Sequence, residues 1–249
     1  MRTIAWSHRV ALGLAVAAGL GGCSTTQQVK VKETGGRECV FLGREVCDKL
    51  TATETPGRFS GTAVSGSGDT VMGLRYINPN ARWTRYNKVL IAPVSFWGGD
   101  DTSVSKEDQV ALTNYFSKVL NDALSKKFPV VDKPGPGVME IDLAITDVGK
   151  AIPVLRTVSM VIPQARALAT LKYAATGTYA FIGSAQAEGK VTDASTGELL
   201  AAGVDRRVGG GNIKAAAQWQ LGDAENAMKS WAETLADRLS SWTSGTTPH

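Results

Sequence analysis

Met139-Glu140-Ile141-Asp142-Leu143-Ala144-Ile145-Thr146 decides how this chain is read. Met139, Ile141, Leu143 and Ile145 alternate with Glu140, Asp142, Ala144 and Thr146, a period of two that belongs to a strand with one apolar and one wet face. A half-apolar strand needs neighbours in a sheet and a layer of helix or sheet over its dry side. The residues on either side predict both.

Upstream, Val89-Leu90-Ile91-Ala92-Pro93-Val94 is short, rich in β-branched residues and bounded by Lys88 and by Gly98-Gly99-Asp100. It predicts a central strand buried on both faces and ending near Pro93. Ser105 then opens a helix as an N-cap, with Glu107 and Asp108 in its first turn. Leu112, Tyr115, Phe116, Val119, Leu120, Ala123 and Leu124 recur at helical spacing, and Lys126-Lys127 suits the carboxyl end. Phe128-Pro129-Val130-Val131 gives a short strand and Pro134-Gly135-Pro136-Gly137 a forced turn. Downstream, Gly177 to Thr192 and Glu198 to Val208 read as two strands joined by the turn-rich Asp193-Ala194-Ser195-Thr196-Gly197. A last helix, about Asp223 to Trp242, puts Ala224, Met228, Trp231, Leu235, Leu239 and Trp242 on one stripe. Residues 151–175 are apolar but broken by Pro153 and Pro163, too broken for a spanning helix. They suit a flap over the sheet, or a segment that touches membrane or a partner.

The amino terminus sets the location. Arg2, Arg9 and the apolar run Val10 to Leu20 have the form of a secretory signal. Leu20-Gly21-Gly22-Cys23 at its end resembles a bacterial lipobox. That resemblance implies a diacylglyceryl group on the Cys23 thiol, cleavage before Cys23 and acylation of the new terminus. By resemblance to lipoproteins of Gram-negative bacteria, Ser24 rather than Asp implies export to the outer membrane. An uncleaved span would need about 20 predominantly apolar residues, and His8 and Arg9 interrupt the run. With roughly 0.8 kcal/mol per buried methylene, three acyl chains make a permanent anchor. The expected organisation is a signal at 1–22, a lipidated tether and disulfide-bearing arm at 23–72, a folded domain at 73–242 and a tail at 243–249.

Composition narrows the chemistry. Loss of the signal removes Arg2, Arg9 and no acid, so the formal charge of +4 falls by two. That is no electrostatic footprint for nucleic acid. Beyond Cys23, Cys39 and Cys47 form an even pair in an oxidising compartment, and a disulfide between them is expected; free buried thiols or half a metal site are the alternatives. The two histidines are His8, in the signal, and the terminal His249. The mature fold therefore has no imidazole for a Ser-His-Asp triad, a Cys-His pair or a typical zinc hydrolase site.

Three weaker motifs have plain structural explanations. Gly66 and Gly68 suggest a dinucleotide fingerprint, but Val71 stands where the third glycine belongs. Tyr76, Trp83 and Tyr86 interleaved with Arg82 and Arg85 suit a basic aromatic patch for glycan or anionic lipid, or aromatics packed on a sheet edge under covering arginines. Glu140, Asp142 and Asp147 suit paired acids or calcium ligands, but alternation puts the first two on a wet strand face.

Three blocks carry a wider resemblance: Arg75-Tyr76-Ile77-Asn78-Pro79-Asn80 through Tyr86 to Val94; Asp193 to Ala202 with Val204-Asp205-Arg206-Arg207; and the late tryptophan-bearing helix. With the lipobox they resemble the bacterial lipoproteins grouped as domain of unknown function 3313. That resemblance implies location and fold, and no catalytic residues. The element order also looks like the periplasmic α+β domain of curli-secretion channel lipoproteins and of lipoprotein activators of peptidoglycan synthases, a fold-level analogy.

The sequence thus predicts an α+β fold, a single domain with a mixed β-sheet packed against two amphipathic helices. It predicts no cofactor, no metal and no catalytic residue. The leading functional expectation is an outer-membrane, periplasm-facing lipoprotein with a non-enzymatic binding or envelope-support role, held to the membrane by its lipids. An envelope protein or peptidoglycan is the expected partner, nucleic acid is not, and an oligomer is compatible with the reading. The alternative is an oligomeric export channel, with residues 151–175 and the Gly177 to Val208 hairpin as membrane strands. A barrel wants uniformly apolar outward positions over about 9 to 11 residues, whereas Ala185, Ala187, Gly189 and Val191 make only a weakly apolar face. A hydrolase using Asp and Glu alone has no motif in its favour.

Overall fold

The computed structural model describes residues 26–29, 31, 39–53, 73–100, 102–149, 183–209 and 222–246. Cys23, residues 151–175 and the Gly66/Gly68 run lie outside them. The strands are β1 (Thr26–Val29), β2 (Thr51–Thr53), β3 (Gly73–Ile77), β4 (Lys88–Ile91), β5 (Ser95–Phe96), β6 (Val130–Val131), β7 (Val138–Gly149), β8 (Ser184–Asp193) and β9 (Leu199–Gly209). The helices are α1 (Gly43–Cys47), α2 (Lys106–Leu124) and α3 (Gly222–Thr243), with a 3₁₀ turn at Trp83–Arg85.

All nine strands form one mixed sheet in the order β2-β3-β9-β8-β7-β4-β6, an α+β arrangement as expected. The long central strands β7, β8 and β9 are antiparallel, while β4 and β5 run in line and parallel along β7. The β8–β9 connection is tight because Gly197 takes a positive φ of 73° and Asp193 accepts the backbone N–H groups of Ser195 and Thr196 at 2.8 and 3.0 Å.

Helices α2 and α3 pack on one face of the sheet and on each other. Ser105 caps α2 by accepting the Asp108 N–H at 3.1 Å. Leu112, Phe116, Leu120 and Leu124 of α2 are buried with Val89, Met139, Ile141 and Ile145 of the sheet. From α3 the fully buried apolar side chains are Ala224, Ala227, Met228, Ala232, Ala236 and Leu239. This corrects the expected stripe. Trp231, Leu235 and Trp242 are only partly buried, because an alanine row lies alongside the tryptophan row and lets the helix approach closely while the larger rings stay on its flank.

The opposite face holds the second difference. Residues before Gly73 are expected to stand off as tether and arm, yet β1 pairs antiparallel with β9 at Thr26↔Gly209 to Val29↔Arg206, and β2 extends the sheet beyond β3. The Cys39–Cys47 disulfide closes an arm, Cα atoms 6.2 Å apart, whose Val31, Cys39 and Leu42 bury Leu74, Ala202 and Val204. Glu188, on the face opposite the helices, is 1% exposed. Its carboxylate accepts the N–H groups of Val40, Phe41 and Leu42 at 2.8, 2.8 and 3.0 Å. The face of β7 expected to be wet is partly dry: Ala144 and Thr146 are fully buried, and Glu140 and Asp142 partly so.

Two strand readings also change in detail. The strand at Lys88 stops at Ile91, short of Pro93, and only Val89 is fully buried; it has only the two-residue β6 outside it. Residues 183–208, the described part of the hairpin that the channel alternative assigns to a membrane, lie in the middle of the domain sheet. No helix among the described residues is long and apolar enough to cross a membrane.

Candidate functional site

Strand register assembles the site. Leu143, Gly189, Gly203 and Arg75 stand in one row across β7, β8, β9 and β3, on the face that carries the helices. Flanking rows place Ala187 beside Asp205 and Val191 beside Ala201. The middle of the sheet is thus floored by glycine and alanine just where α3 turns its partly buried residues toward it. Small residues below and rings beside leave a groove of about 230 Å³ between α3 and the sheet, walled by Trp231, Leu235 and Trp242 and floored by Gly189, Ala201 and Gly203. A Cβ at Gly189 would lie 2.0 Å from Leu143 Cδ2, so a side chain there would have to displace Leu143. Trp242 is braced at 4.8 Å by Trp83, and Trp231 at 5.9 Å by Phe116, so the walls are pre-set.

The polar groups sit toward the β3 side. Asp205 accepts from Gln28 Nε2 and Trp231 Nε1, both at 2.5 Å, and from Arg207 Nε at 3.0 Å. Arg207 also donates through Nη1 to Ser230 Oγ at 2.7 Å. Asp205 is thereby committed to fixing the indole of Trp231 and the guanidinium of Arg207. Arg75 and Arg238 also line the groove. Partial burial of its guanidinium, then the neighbouring charge of Arg75, lower the affinity of the otherwise exposed Arg238 for its proton, against the pull of Asp205. Arginine stays charged regardless, so three guanidiniums share one carboxylate. Among the described residues, neither Arg75 nor Arg238 makes an ion pair within 4.0 Å or a side-chain hydrogen bond. The groove is therefore electropositive at its rim and apolar in its interior.

Two other charged nodes are structural. Burial raises the Asp193 carboxyl, but hydrogen bonds from Arg85, Ser195, Tyr86 and Thr196 outweigh it and hold the group at about 2. Burial first, and then Asp193, push the Tyr86 hydroxyl up to about 12. At Glu188, burial raises the carboxyl against the three backbone N–H bonds.

Cys39 and Cys47 are joined. Trp83 and Tyr86 are buried, 6% and 3% exposed, and Arg85 lies over the Tyr86 ring at 5.0 Å, so that run packs rather than presents a patch. Of the acids, Asp142 faces Lys190 at 3.6 Å and Asp147 faces Arg206 at 3.9 Å. No cluster of three or more His, Cys, Asp or Glu among the described residues is arranged to hold a metal. The groove was not anticipated. Some of its parts were in view, in that Arg75, Asp205, Arg207 and the late tryptophans belong to the three blocks noted in the sequence; only the register shows that those blocks converge and that Gly189 and Gly203 lie between them.

The profile of the family described as protein of unknown function DUF3313 matches residues 61–235. The chain belongs to that family. No curated protein matches this DUF3313 chain. Among solved structures it is similar to the PelC dodecamer from Paraburkholderia phytofirmans, at 8% identity and a TM-score of 0.37 over 66% of this chain and 96% of that one. It is also similar to a Xanthomonas campestris protein of the DUF330 family, at 11% identity and a TM-score of 0.36, over 69% and 96% of the two chains. A Caulobacter crescentus protein provisionally named a lipoprotein matches at 14% identity and a TM-score of 0.31, over 61% and 92%.

Proposed function

We propose that this protein is an outer-membrane lipoprotein, anchored through Cys23 and facing the periplasm, whose role is to bind an envelope component and not to catalyse a reaction. The observation that carries the reading is the groove between α3 and the sheet: rigid aromatic walls over a glycine-alanine floor, with two arginines on its rim that make no ion pair within 4.0 Å and no side-chain hydrogen bond among the described residues. A concave, mainly apolar space with a few convergent polar groups is the usual form of a ligand site. Of the two acids among its lining residues, Asp205 already accepts three donors and the Glu188 carboxylate is held by three backbone N–H groups on the opposite face, and no histidine stands between the proposed cleavage site and residue 249. The lipobox motivates the anchor, and Ser24 the outer-membrane address.

The test uses the full chain in a Gram-negative host. Metabolic labelling with palmitate, followed by density separation of inner and outer membranes, should give a labelled protein in the outer-membrane fraction. The Cys23→Ala variant should carry no label and leave that fraction. Labelling that persists without Cys23, or parent protein confined to the inner membrane, contradicts the anchor and its address. Hydrolysis of an envelope polymer by the pure protein, lost on a single carboxylate substitution, contradicts the non-enzymatic role.

A further inference from the structure

We infer that the groove between α3 and the sheet binds an anionic amphiphile with a single alkyl chain, the chain lying between Trp231 and Trp242 on the glycine-alanine floor and the anionic head at Arg75 and Arg238. The inference rests on the binding role proposed above and names its ligand class. Three observations support it.

The first is polarity along one row. From Leu143 through Gly189 and Gly203 to Arg75 the surface passes from hydrocarbon to bare backbone to cation, the order of parts in a single-tailed anionic amphiphile. The second is charge complementarity. Arg207 is already held by Asp205 at 3.0 Å and by Ser230 at 2.7 Å, whereas Arg75 and Arg238 make no such contacts among the described residues. Two like charges that line one groove favour an anion between them, and paired guanidiniums suit a phosphate or carboxylate head. Arg75 is half-buried and Arg238 exposed, so a head placed there stays at the solvent edge while the tail goes inward. The third is size. About 230 Å³ exceeds the engineered apolar cavity of roughly 150 Å³ that takes benzene and falls below the roughly 300 to 1,000 Å³ of ordinary ligand sites. A single tail suits that space better than a two-tailed lipid or a folded peptide.

The experiment uses the acylated full chain in nanodiscs of phosphatidylcholine, whose zwitterionic head supplies no net charge. The probes are a diazirine-bearing dodecyl phosphate and a diazirine-bearing dodecyl glucoside, with inorganic phosphate as competitor and peptide mapping after irradiation. The phosphate probe should label the segments at 201–207 and 231–242 saturably. Arg75→Gln with Arg238→Gln should weaken labelling by the phosphate probe on the order of tenfold or more and leave labelling by the glucoside unchanged. Ala201→Leu, which fills the floor, should reduce both; thermal unfolding of each variant confirms a folded chain. Equal labelling by the two probes, labelling spread over the whole surface, or insensitivity to the arginine pair would overturn the inference. So would full competition by inorganic phosphate at equal concentration, which would make the site one for the anion alone. A misplaced anchor in the fractionation experiment leaves these outcomes readable, so the two readings fail separately.

Discussion

Removal of the Glu188 carboxylate should release the disulfide arm from the sheet. Glu188 is 1% exposed and accepts the N–H groups of Val40, Phe41 and Leu42. In Glu188→Ala these three donors lose their acceptor beneath an arm that buries Leu74, Ala202 and Val204. A buried donor left unpaired costs about 1 to 3 kcal/mol. Three such donors set an upper limit that is not reached, because the arm can lift and let water in at the expense of its own packing. The expected loss is therefore about 2 to 4 kcal/mol. The Cys39–Cys47 link spans eight residues of separation, and the chain-entropy relation gives its removal a cost of roughly 2 to 3 kcal/mol. Both changes act on the same arm, so they should not add: once Glu188 no longer holds the arm, the disulfide closes a loop that contributes little to the domain. Urea unfolding followed by tryptophan fluorescence, on the parent, Glu188→Ala, Cys39→Ser/Cys47→Ser and the triple variant, measures the coupling. A triple variant about 1 kcal/mol or more better than the sum of its parts supports the latch. Full additivity, or a Glu188→Ala change below about 0.5 kcal/mol, would refute it.

Other consequences are more local. Asp193 is held at about 2, below its ordinary 3.8, so its contribution is present above pH 4 and is lost as pH falls through 2; by linkage it amounts to roughly 2 kcal/mol. Acid titration of stability should therefore be shallower between pH 4 and 2 for Asp193→Asn than for the parent, and parallel curves would contradict the assignment. Ala236 of α3 is 2% exposed against α2 and the sheet, and Ala236→Leu should cost about 1 to 3 kcal/mol in urea by overpacking. Ser105→Ala should cost about 1 kcal/mol through loss of the cap to Asp108, read as a shift in thermal midpoint.

What could be read from the sequence and what could not divide by the range of the interaction. Period-two alternation found β7, helical spacing and an N-cap serine found α2, and the Asp193 to Gly197 turn found the β8–β9 connection, because each is written within a dozen residues. The arm escaped notice because its cover of the sheet depends on Glu188 meeting Val40 to Leu42, contacts separated by 146 to 148 residues. The groove escaped for a related reason. In α3 the alanine and tryptophan rows have the same helical period, and nothing local says that Ala232 and Ala236 face the core while Trp231 and Leu235 stand beside it. Likewise Gly189 and Gly203 look like weak points in two strands until the register puts them side by side.

The groove itself is tested most directly by its indoles. With ¹⁵N-tryptophan label in the nanodisc-bound chain, dodecyl phosphate should shift the Trp231 and Trp242 indole resonances saturably. Trp97, 48% exposed and packed against Phe41 of the arm, should remain in place. Unmoved Trp231 and Trp242 signals at saturating probe, or equal shifts at Trp97, would contradict the account.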